Sequence, residues 1–238
     1  MVAQIRLGDV RIEVVRKNIK NLHLSVYPPL GKVRIAAPER MDLDAIRVFS
    51  ITKLQWIRKQ QKKLREQQRE TAREYLERES HHVWGRRFLL RIVEREAAPA
   101  VELKHNKMYL YVRPGSDTAR RHSILEDWYR ALLRQAIPPL LAKWEPIIGV
   151  RTQHVYIQRM KTKWGACNHV SRNIRLNTDL AKKPPECLEY ITVHELVHLL
   201  EPTHNHRFNA LLEQLMPKSQ FYRNELNRLP VRHETWAY

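Results

Sequence analysis

The chain has only two cysteines, Cys167 and Cys187, among its 238 residues. Two cysteines are too few for a disulfide framework in a chain of this size, and they suit a reducing compartment. The sequence has no run of eighteen or more apolar residues, and its first ten residues lack the apolar core of a secretory signal. We therefore expect a soluble protein that is located in the cytoplasm and has no membrane partner.

Glycine is also scarce, at six residues, and no glycine-rich phosphate-binding loop is present. This absence argues against the usual nucleotide-binding folds. Hydrophobic residues make up 43% of the chain, which is enough to bury the core of one large domain or of two small ones.

Positive charge is abundant and unevenly distributed. The formal net charge is +18, and residues 1–160 account for +15 of it. Such an excess suggests a polyanionic partner, for example nucleic acid, bound by the N-terminal region. The simpler alternative is a well-solvated surface, because net charge alone does not identify a site. The sequence does not indicate an oligomeric state.

The first half of the chain predicts two groups of short strands separated by a helix. Apolar residues alternate from Ile5 to Ala36, and then recur at helical spacing from near Asp42 into a charged stretch that continues to Arg78. Alternation returns between residues 88 and 112. The sequence shows no internal repeat, and the Pro-Gly segment at residues 114–118 is the best candidate for a domain boundary.

The second half predicts helices around a short sheet. Residues 119–145 have helical spacing, and Pro138-Pro139 predicts a kink or a break in that helix. Val155–Met160 and Asn173–Asn177 are typical of strands, with a loop at residues 163–167 between them. We expect Asn173–Asn177 to be an edge strand that pairs with an extended substrate.

The strongest chemical signal is the H-E-x-x-H sequence at His194–His198. On a helix, residues four apart share a face, so His194 and His198 can offer neutral imidazole nitrogens to one Zn²⁺ ion. Pro184 and Pro185 suit the start of that helix, and Pro202 suits its end. Glu195 is then placed to act as the general base for a water that attacks a carbonyl group.

A catalytic zinc site of this class needs a third protein ligand. His204 has the spacing of the third histidine in the H-E-x-x-H-x-x-G-x-x-H class, although Glu201 occupies the glycine position. His206 competes with His204 for this role, and Glu201 is a weaker rival.

The chain resembles the YgjP-like metallopeptidase family, which is related to the SprT-like zincins. The resemblance rests on the Lys163-Trp164-Gly165-Ala166-Cys167 run, on Ile174–Asn177, on the H-E-x-x-H motif, and on His204 with Phe208 four residues later. Ala166, Thr203 and Asn209 depart from the family pattern. The resemblance implies an α+β fold with a zincin-like catalytic domain, Zn²⁺ as cofactor, His194, His198 and His204 as ligands, and Glu195 as the catalytic acid and base.

The Pro-Gly segment and this resemblance together give the predicted organisation. We expect a β-rich accessory region with a long basic helix at residues 1–117, and a zincin-like metallopeptidase domain at residues 118–238. Within that domain, Cys167 is either near the metal at the rim of a substrate groove or, more simply, a buried thiol that supports the sheet. Tyr222, Arg207 and Arg223 are candidates to assist an oxyanion or a substrate carboxylate, and spacing does not choose among them.

The leading functional hypothesis is a zinc-dependent peptidase that acts on peptides or proteins. One alternative uses the same zinc site to hydrolyse a phosphoanhydride, such as a nucleotide. Another is a nucleic-acid-associated binding module with a vestigial site, for which binding would fall steeply with salt.

Overall fold

The structure is a computed structural model that describes residues 2–27, 31–66, 74–160 and 163–228. These residues form an α+β fold, as the sequence predicted, and their elements include three small sheets and six α-helices. The described helices include none that is both long and apolar enough to cross a membrane. Described residues up to 66 belong to one compact unit, and residues 74–228 belong to a second.

The first unit contains a four-stranded sheet in the order β1-β2-β4-β3. Its strands are β1 (Val2–Leu7), β2 (Val10–Lys17), β3 (His23–Tyr27) and β4 (Lys32–Pro38). The β1-β2 and β3-β4 pairs are antiparallel, whereas β2 and β4 run parallel. The alternating apolar residues of β2 and β4 all point to one buried face, because side chains two apart lie on the same side of a strand.

Two helices complete this unit, where the sequence predicted one. Helix α1 (Leu43–Thr52) begins at Asp42, whose carboxylate accepts a hydrogen bond from the Leu43 amide, and α2 (Leu54–Glu66) follows after Lys53. The predicted charged helix is therefore helical to Glu66. Its continuation at 67–73 lies outside the described residues, and 74–79 are not helical.

The second unit begins with a sheet of the same topology, in the order β5-β6-β8-β7. Its strands are β5 (Ser80–Val83), β6 (Arg86–Glu94), β7 (Ala100–Lys104) and β8 (Lys107–Val112). Again the outer pairs are antiparallel and the central pair is parallel. The structure thus contains a repeat that the sequence did not show, because the topology needs alternating apolar residues rather than identical ones.

The compact units divide between residues 66 and 74. Val83, Leu90 and Met108 of the second sheet belong to the same buried core as Leu133 and Leu196 of the helices that follow. The division into an accessory region at residues 1–117 and a catalytic domain at residues 118–238 stays a prediction.

A long helix, α3 (Thr118–Ile148), follows the second sheet and runs through Pro138 and Pro139 without a break. Asp117 caps its start, and Gly149, with φ near 75°, ends it. The flanking side chains of Ile137 and Trp144 are buried, so packing holds a helix that two prolines alone would interrupt.

The third sheet has the order β10-β11-β9 and lies next in the chain. Its strands are β9 (His154–Gln158), β10 (Gly165–Asn168) and β11 (Asn173–Asn177). Two expectations are wrong here. Most of the predicted 163–167 loop is strand β10, and β11 is the central strand, because it pairs with β10 on one side and β9 on the other.

The remaining elements are helical and surround the predicted site. They are a 3₁₀ helix (Thr178–Lys182), α4 (Pro185–Val197), α5 (His206–Leu215) and α6 (Ser219–Arg228).

Candidate metal centre

Helix α4 carries His194 and Glu195 of the H-E-x-x-H motif, and His198 caps its end. Pro185 occupies its first turn, and residues on several sides of the helix are buried, including Leu188, Val193 and Leu196. The helix ends at Val197, five residues before the predicted stop at Pro202, and turns follow it. Burial on several sides fixes the rotation of α4, and so fixes the direction in which the motif side chains point.

Three imidazoles converge at the end of α4. Nε2 of His204 lies 3.0 Å from Nε2 of His194 and 3.2 Å from Nε2 of His198. Among the described residues, these three histidines are the group whose donor atoms lie close enough to hold one metal ion, and His206 and the Glu201 carboxylate are not members. The turn after α4 therefore brings back His204, as its spacing suggested.

The tautomer of His198 is set by its neighbour. Its Nδ1 lies 3.0 Å from the backbone oxygen of Glu201, and because a carbonyl only accepts, Nδ1 must carry the proton. The lone pair then resides on Nε2, which faces the other two imidazoles. The Glu201 carboxylate accepts a hydrogen bond from Thr203 Oγ1 at 3.1 Å. Glu201 thus acts on the site through its backbone, a role that spacing had not indicated.

All three imidazoles favour the neutral state that a metal ligand requires. Burial, followed by the neighbouring His198 and His204, lowers the pKa of His194 to about 3. Burial also lowers the pKa of His198 and of His204 below the ordinary value. At neutral pH each ring can therefore offer a lone pair without first losing a proton.

Phe208 holds the three rings in place from one side. Its ring centroid lies 4.9 Å from that of His194, 4.5 Å from that of His198 and 4.7 Å from that of His204, and its side chain is buried. Asn205 caps α5 by accepting a hydrogen bond from the Phe208 amide at 3.0 Å. The family pattern had marked Phe208, but only the structure shows what it contacts.

Glu195 lies on the buried side of the motif and is 4% exposed. Burial raises the pKa of its carboxyl group to about 8, and the positive charge of Lys163 opposes that rise. A carboxyl group of raised pKa beside a metal site can take up and return a proton near neutral pH.

Gly165 explains the glycine of the Trp-Gly-x-Cys stretch. A Cβ atom on Gly165 would lie 2.5 Å from Oε1 of Glu195 and 2.8 Å from its Cγ, so any other residue would displace the carboxylate. The sequence interpretation had treated this stretch as a loop and had missed the contact. A glycine two residues before a cysteine is too weak a signal to have revealed a contact with Glu195, which lies far along the sequence.

Both cysteines are free thiols, and Cys187 is buried whereas Cys167 is half-buried. Burial, with a smaller contribution from the Glu195 charge, raises the pKa of Cys167 to about 11. Burial also raises the pKa of Cys187 to about 11. Both thiols are protonated at neutral pH, which favours the supporting role over a nucleophilic one.

The free edge of β10 presents backbone groups beside Glu195. The Asn177 amide donates to the Trp164 oxygen at 2.9 Å, so residues 164, 166 and 168 direct their backbone groups to β11. Because the direction alternates along a strand, the N–H and C=O groups of Gly165 and Cys167 point away from β11. They lie on the edge of the sheet that β11 does not cover.

Of the three candidates for assisting the reaction, Arg223 is the one whose charge affects the clustered histidines. Its positive charge lowers the pKa of His194, after burial and the neighbouring histidines, and lowers the pKa of His204, after burial. The Tyr222 ring lies 6.4 Å from that of Tyr190, whose ring is 6.0 Å from that of His194. Arg207 is exposed and is not among the charges that shift these groups.

Comparisons with known proteins complete this description. Two crystal structures of metallopeptidase zymogens are similar to parts of the chain. Pyrococcus abyssi abylysin has 24% identity over 37% of this chain and 89% of its own, with a TM-score of 0.35. Methanocaldococcus jannaschii jannalysin has 23% identity over 40% of this chain and 84% of its own, with a TM-score of 0.32.

No curated protein sequence matches the chain significantly. A family model described as the YgjP-like metallopeptidase domain matches residues 20–229, which is most of the chain and includes the three histidines and Glu195. The resemblance predicted from the sequence is thereby confirmed, and the chain belongs to the YgjP-like metallopeptidase family.

Proposed function

We propose that this metallopeptidase uses zinc, with His194, His198 and His204 as ligands, and hydrolyses peptide bonds with Glu195 as general base. The observation that carries the proposal is the convergence of three Nε2 atoms: that of His204 lies 3.0 Å from that of His194 and 3.2 Å from that of His198. Glu195, the residue that follows His194, has a buried side chain. The proposal includes a zincin-like arrangement, in which the motif helix packs beside a short sheet.

The donor set fits zinc. Three neutral imidazole nitrogens are a common set for catalytic Zn²⁺, which keeps a fourth position open, whereas Ca²⁺ and Mg²⁺ prefer oxygen ligands. The Nδ1 proton of His198 is held by a carbonyl oxygen, which is the usual support for a metal-binding histidine. When bound, zinc supplies a Lewis acid for the scissile carbonyl group and for the attacking water.

Glu195 performs the proton transfers in this mechanism. Its carboxylate accepts the proton of the attacking water and later returns it to the leaving nitrogen. Gly165 has no side chain, and this leaves the space beside β10 that the Glu195 carboxylate occupies.

The substrate adds to β10 as an extended strand. The N–H and C=O groups of Gly165 and Cys167 are directed to the free edge, where they can pair with a peptide backbone. This replaces the expectation that β11 is the edge strand, and it favours a peptide over a phosphoanhydride, for which the chain has no glycine-rich loop. Polyanion binding by the basic N-terminal region stays a separate proposal, with a steep salt dependence as its test.

The first test combines metal content with peptide hydrolysis. Wild-type protein should hold about one zinc ion per chain, His194→Ala and His204→Ala should lose it, and the matched control His206→Ala should keep it. Glu195→Gln should keep zinc and lower the hydrolysis rate by roughly a thousandfold.

Two outcomes would overturn the proposal. One is wild-type protein without zinc after reconstitution. The other is a zinc-loaded Glu195→Gln protein that is as active as wild type, which would favour a vestigial site.

A further inference from the structure

Asn177 is the last residue of β11, and its side chain is buried, with 4% of the residue exposed. Its Nδ2 donates hydrogen bonds to the backbone oxygens of Met160 and Lys163, both at 2.8 Å. Its Oδ1 accepts hydrogen bonds from the Asp179 amide at 3.1 Å and from the Met160 amide at 3.4 Å. An amide side chain has two N–H donors and two acceptor sites, so these four hydrogen bonds use all of them.

These contacts connect separate segments of the chain at one end of the third sheet. The two carbonyl oxygens belong to residues just after β9 and just before β10, and Asp179 lies in the 3₁₀ helix that follows β11. The Asn177 amide also donates to the Trp164 oxygen at 2.9 Å, which extends the pairing of β10 with β11 beyond Gly165. The backbone and the side chain of Asn177 therefore both hold the start of β10.

The start of β10 is also the part of the third sheet that touches the candidate site. Gly165 leaves the space that the Glu195 carboxylate occupies, and the backbone groups of Gly165 and Cys167 point to the edge that β11 does not cover. An added strand can pair with such an edge only where the N–H and C=O groups keep strand geometry. The contacts that hold this segment therefore control whether a peptide can pair beside Glu195.

We propose that Asn177 is a positioning residue, which holds the start of β10 so that the open edge of this strand can pair with the substrate backbone. This inference rests on the proposed peptidase function and adds a residue to the same site. The hydrogen bonds of Asn177 described above all end on backbone atoms outside the metal group. We therefore expect Asn177 to affect the pairing of substrate and to leave zinc affinity unchanged.

The Asn177→Asp substitution tests the two donors of the amide. An aspartate keeps the oxygen that accepts from Asp179, but it places its second oxygen against the two carbonyl oxygens that Nδ2 binds. Zinc-loaded Asn177→Asp protein should cleave a neutral, extended peptide with a KM about tenfold higher than that of wild type. The value of kcat should change by less than about threefold, because strand pairing stabilises the bound substrate and the transition state alike.

Asn168→Asp is the matched control, because it makes the same chemical change in the same sheet. Asn168 is exposed, and its Oδ1 accepts hydrogen bonds from the Val170 and Ser171 amides, both at 3.1 Å. An aspartate oxygen can accept the same hydrogen bonds, so KM should stay within about twofold of wild type.

Asn177→Ser takes the place of Asn177→Asp if thermal unfolding shows that the buried charge disturbs the fold. A serine hydroxyl can still accept from the Asp179 amide, but it has one donor for the two carbonyl oxygens. We expect the same rise in KM from this variant, again with unchanged zinc content.

Peptides with one N-methylated backbone amide give a result that a general loss of stability would not produce. In wild-type protein, N-methylation at the residue that pairs with β10 should raise KM by about tenfold, because it removes a backbone donor. In Asn177→Asp protein the same methylation should raise KM by less than about threefold, because the pairing is already lost. The ratio of the two effects measures the coupling between Asn177 and the substrate backbone.

The outcomes separate this inference from the proposed function. Unchanged KM in zinc-loaded Asn177→Asp protein, or equal sensitivity to N-methylation in both proteins, would overturn the inference and leave the peptidase intact. Loss of zinc from both Asn177 variants would also overturn it, because Asn177 would then support the whole site. If wild type shows no Glu195-dependent cleavage, the affinity of zinc-loaded protein for a fluorescent peptide replaces KM. The proposed function then fails, and the inference fails with it only if this affinity does not depend on Asn177.

Discussion

The sheet of β1–β4 and the sheet of β5–β8 share strand order and strand direction, but their first hairpin turns have different neighbours. In the first sheet the turn is Gly8-Asp9, and the Asp9 carboxylate pairs with Arg58 of α2 at 2.7 Å. In the second sheet the turn is Trp84-Gly85, whose amides donate to the Ala181 and Lys182 oxygens at 2.8 and 3.3 Å. Those acceptors lie just before α4.

This difference shows how one supersecondary structure serves two purposes. The first sheet buries its apolar face within its own small core and supports α1 and α2. The second sheet joins the core that surrounds α4, and its turn donates hydrogen bonds to residues just before this helix, which leads to the proposed metal ligands. The candidate metal centre therefore shares its core with the second copy, and perturbations of the two copies should have different consequences.

Removal of the metal should have the largest effect and should be confined to the second unit. Chelation should lower the free energy of unfolding by at least roughly 4 kcal/mol when zinc is present at a thousand times its Kd. Amide hydrogen exchange should accelerate at residues 185–210 and stay unchanged at residues 2–66. Unchanged exchange at 185–210 after verified metal removal would show that the metal and the fold are not coupled.

A medium effect should come from the buried carboxyl group of Glu195 in metal-free protein. Burial raises its pKa to about 8 in the folded state, from an ordinary value of 4.5. Below pH 4.5 the group is protonated in both states, and as pH rises to 8 only the unfolded chain releases the proton, so the folded state loses stability.

The Glu195→Gln substitution should remove this loss. Metal-free Glu195→Gln protein should be about 4 kcal/mol more stable than wild type at pH 8, and equally stable near pH 4. Denaturant unfolding at each pH measures the difference in free energy of unfolding between the variant and wild type. Because the two proteins are compared at the same pH, the contribution of histidine titration cancels. A variant that is less stable than wild type at pH 8 would contradict this prediction.

The smallest effect should come from the glycines of the two hairpin turns, and it tests the comparison most directly. A Cβ atom on Gly85 would lie 3.0 Å from Pro184 Cγ, and φ is 77°, whereas Gly8, with φ of 61°, has only the Arg58 side chain at 4.0 Å. Gly85→Ala should cost about 2 kcal/mol and Gly8→Ala about 1 kcal/mol, because an L residue is strained at positive φ in both turns and Gly85 adds a clash.

Zinc affinity distinguishes the two glycine variants further. Gly85→Ala should weaken zinc binding, since Pro184 stands at the start of α4, and Gly8→Ala should not. Equal zinc affinity in both variants would show that the turn of the second sheet does not help to position the metal helix.

Local pattern was sufficient to predict many elements and the residues of the candidate site. Alternation of apolar residues predicted β2, β4 and β8, and the H-E-x-x-H spacing predicted which imidazoles share a face of α4. The choice between His204 and His206 followed only from similarity to a known spacing, and the structure brings His204 to the other two rings.

Other features depend on contacts between residues that are distant in sequence. The repeat of the four-stranded sheet was hidden because Ile12 and Leu90, or Val33 and Met108, are equivalent by register and not by identity. The break expected at Pro138-Pro139 did not occur, because the buried neighbours of these prolines hold α3 together.

The sequence by itself determined the chemistry of this protein, because the types and the helical spacing of His194, Glu195 and His198 are local properties. Tertiary structure alone decided how that chemistry is held. Gly165 is close to Glu195, Phe208 contacts three imidazoles, and β10 forms the edge of its sheet. Each of these depends on how separate elements pack, and packing is a property of the whole core rather than of any one segment.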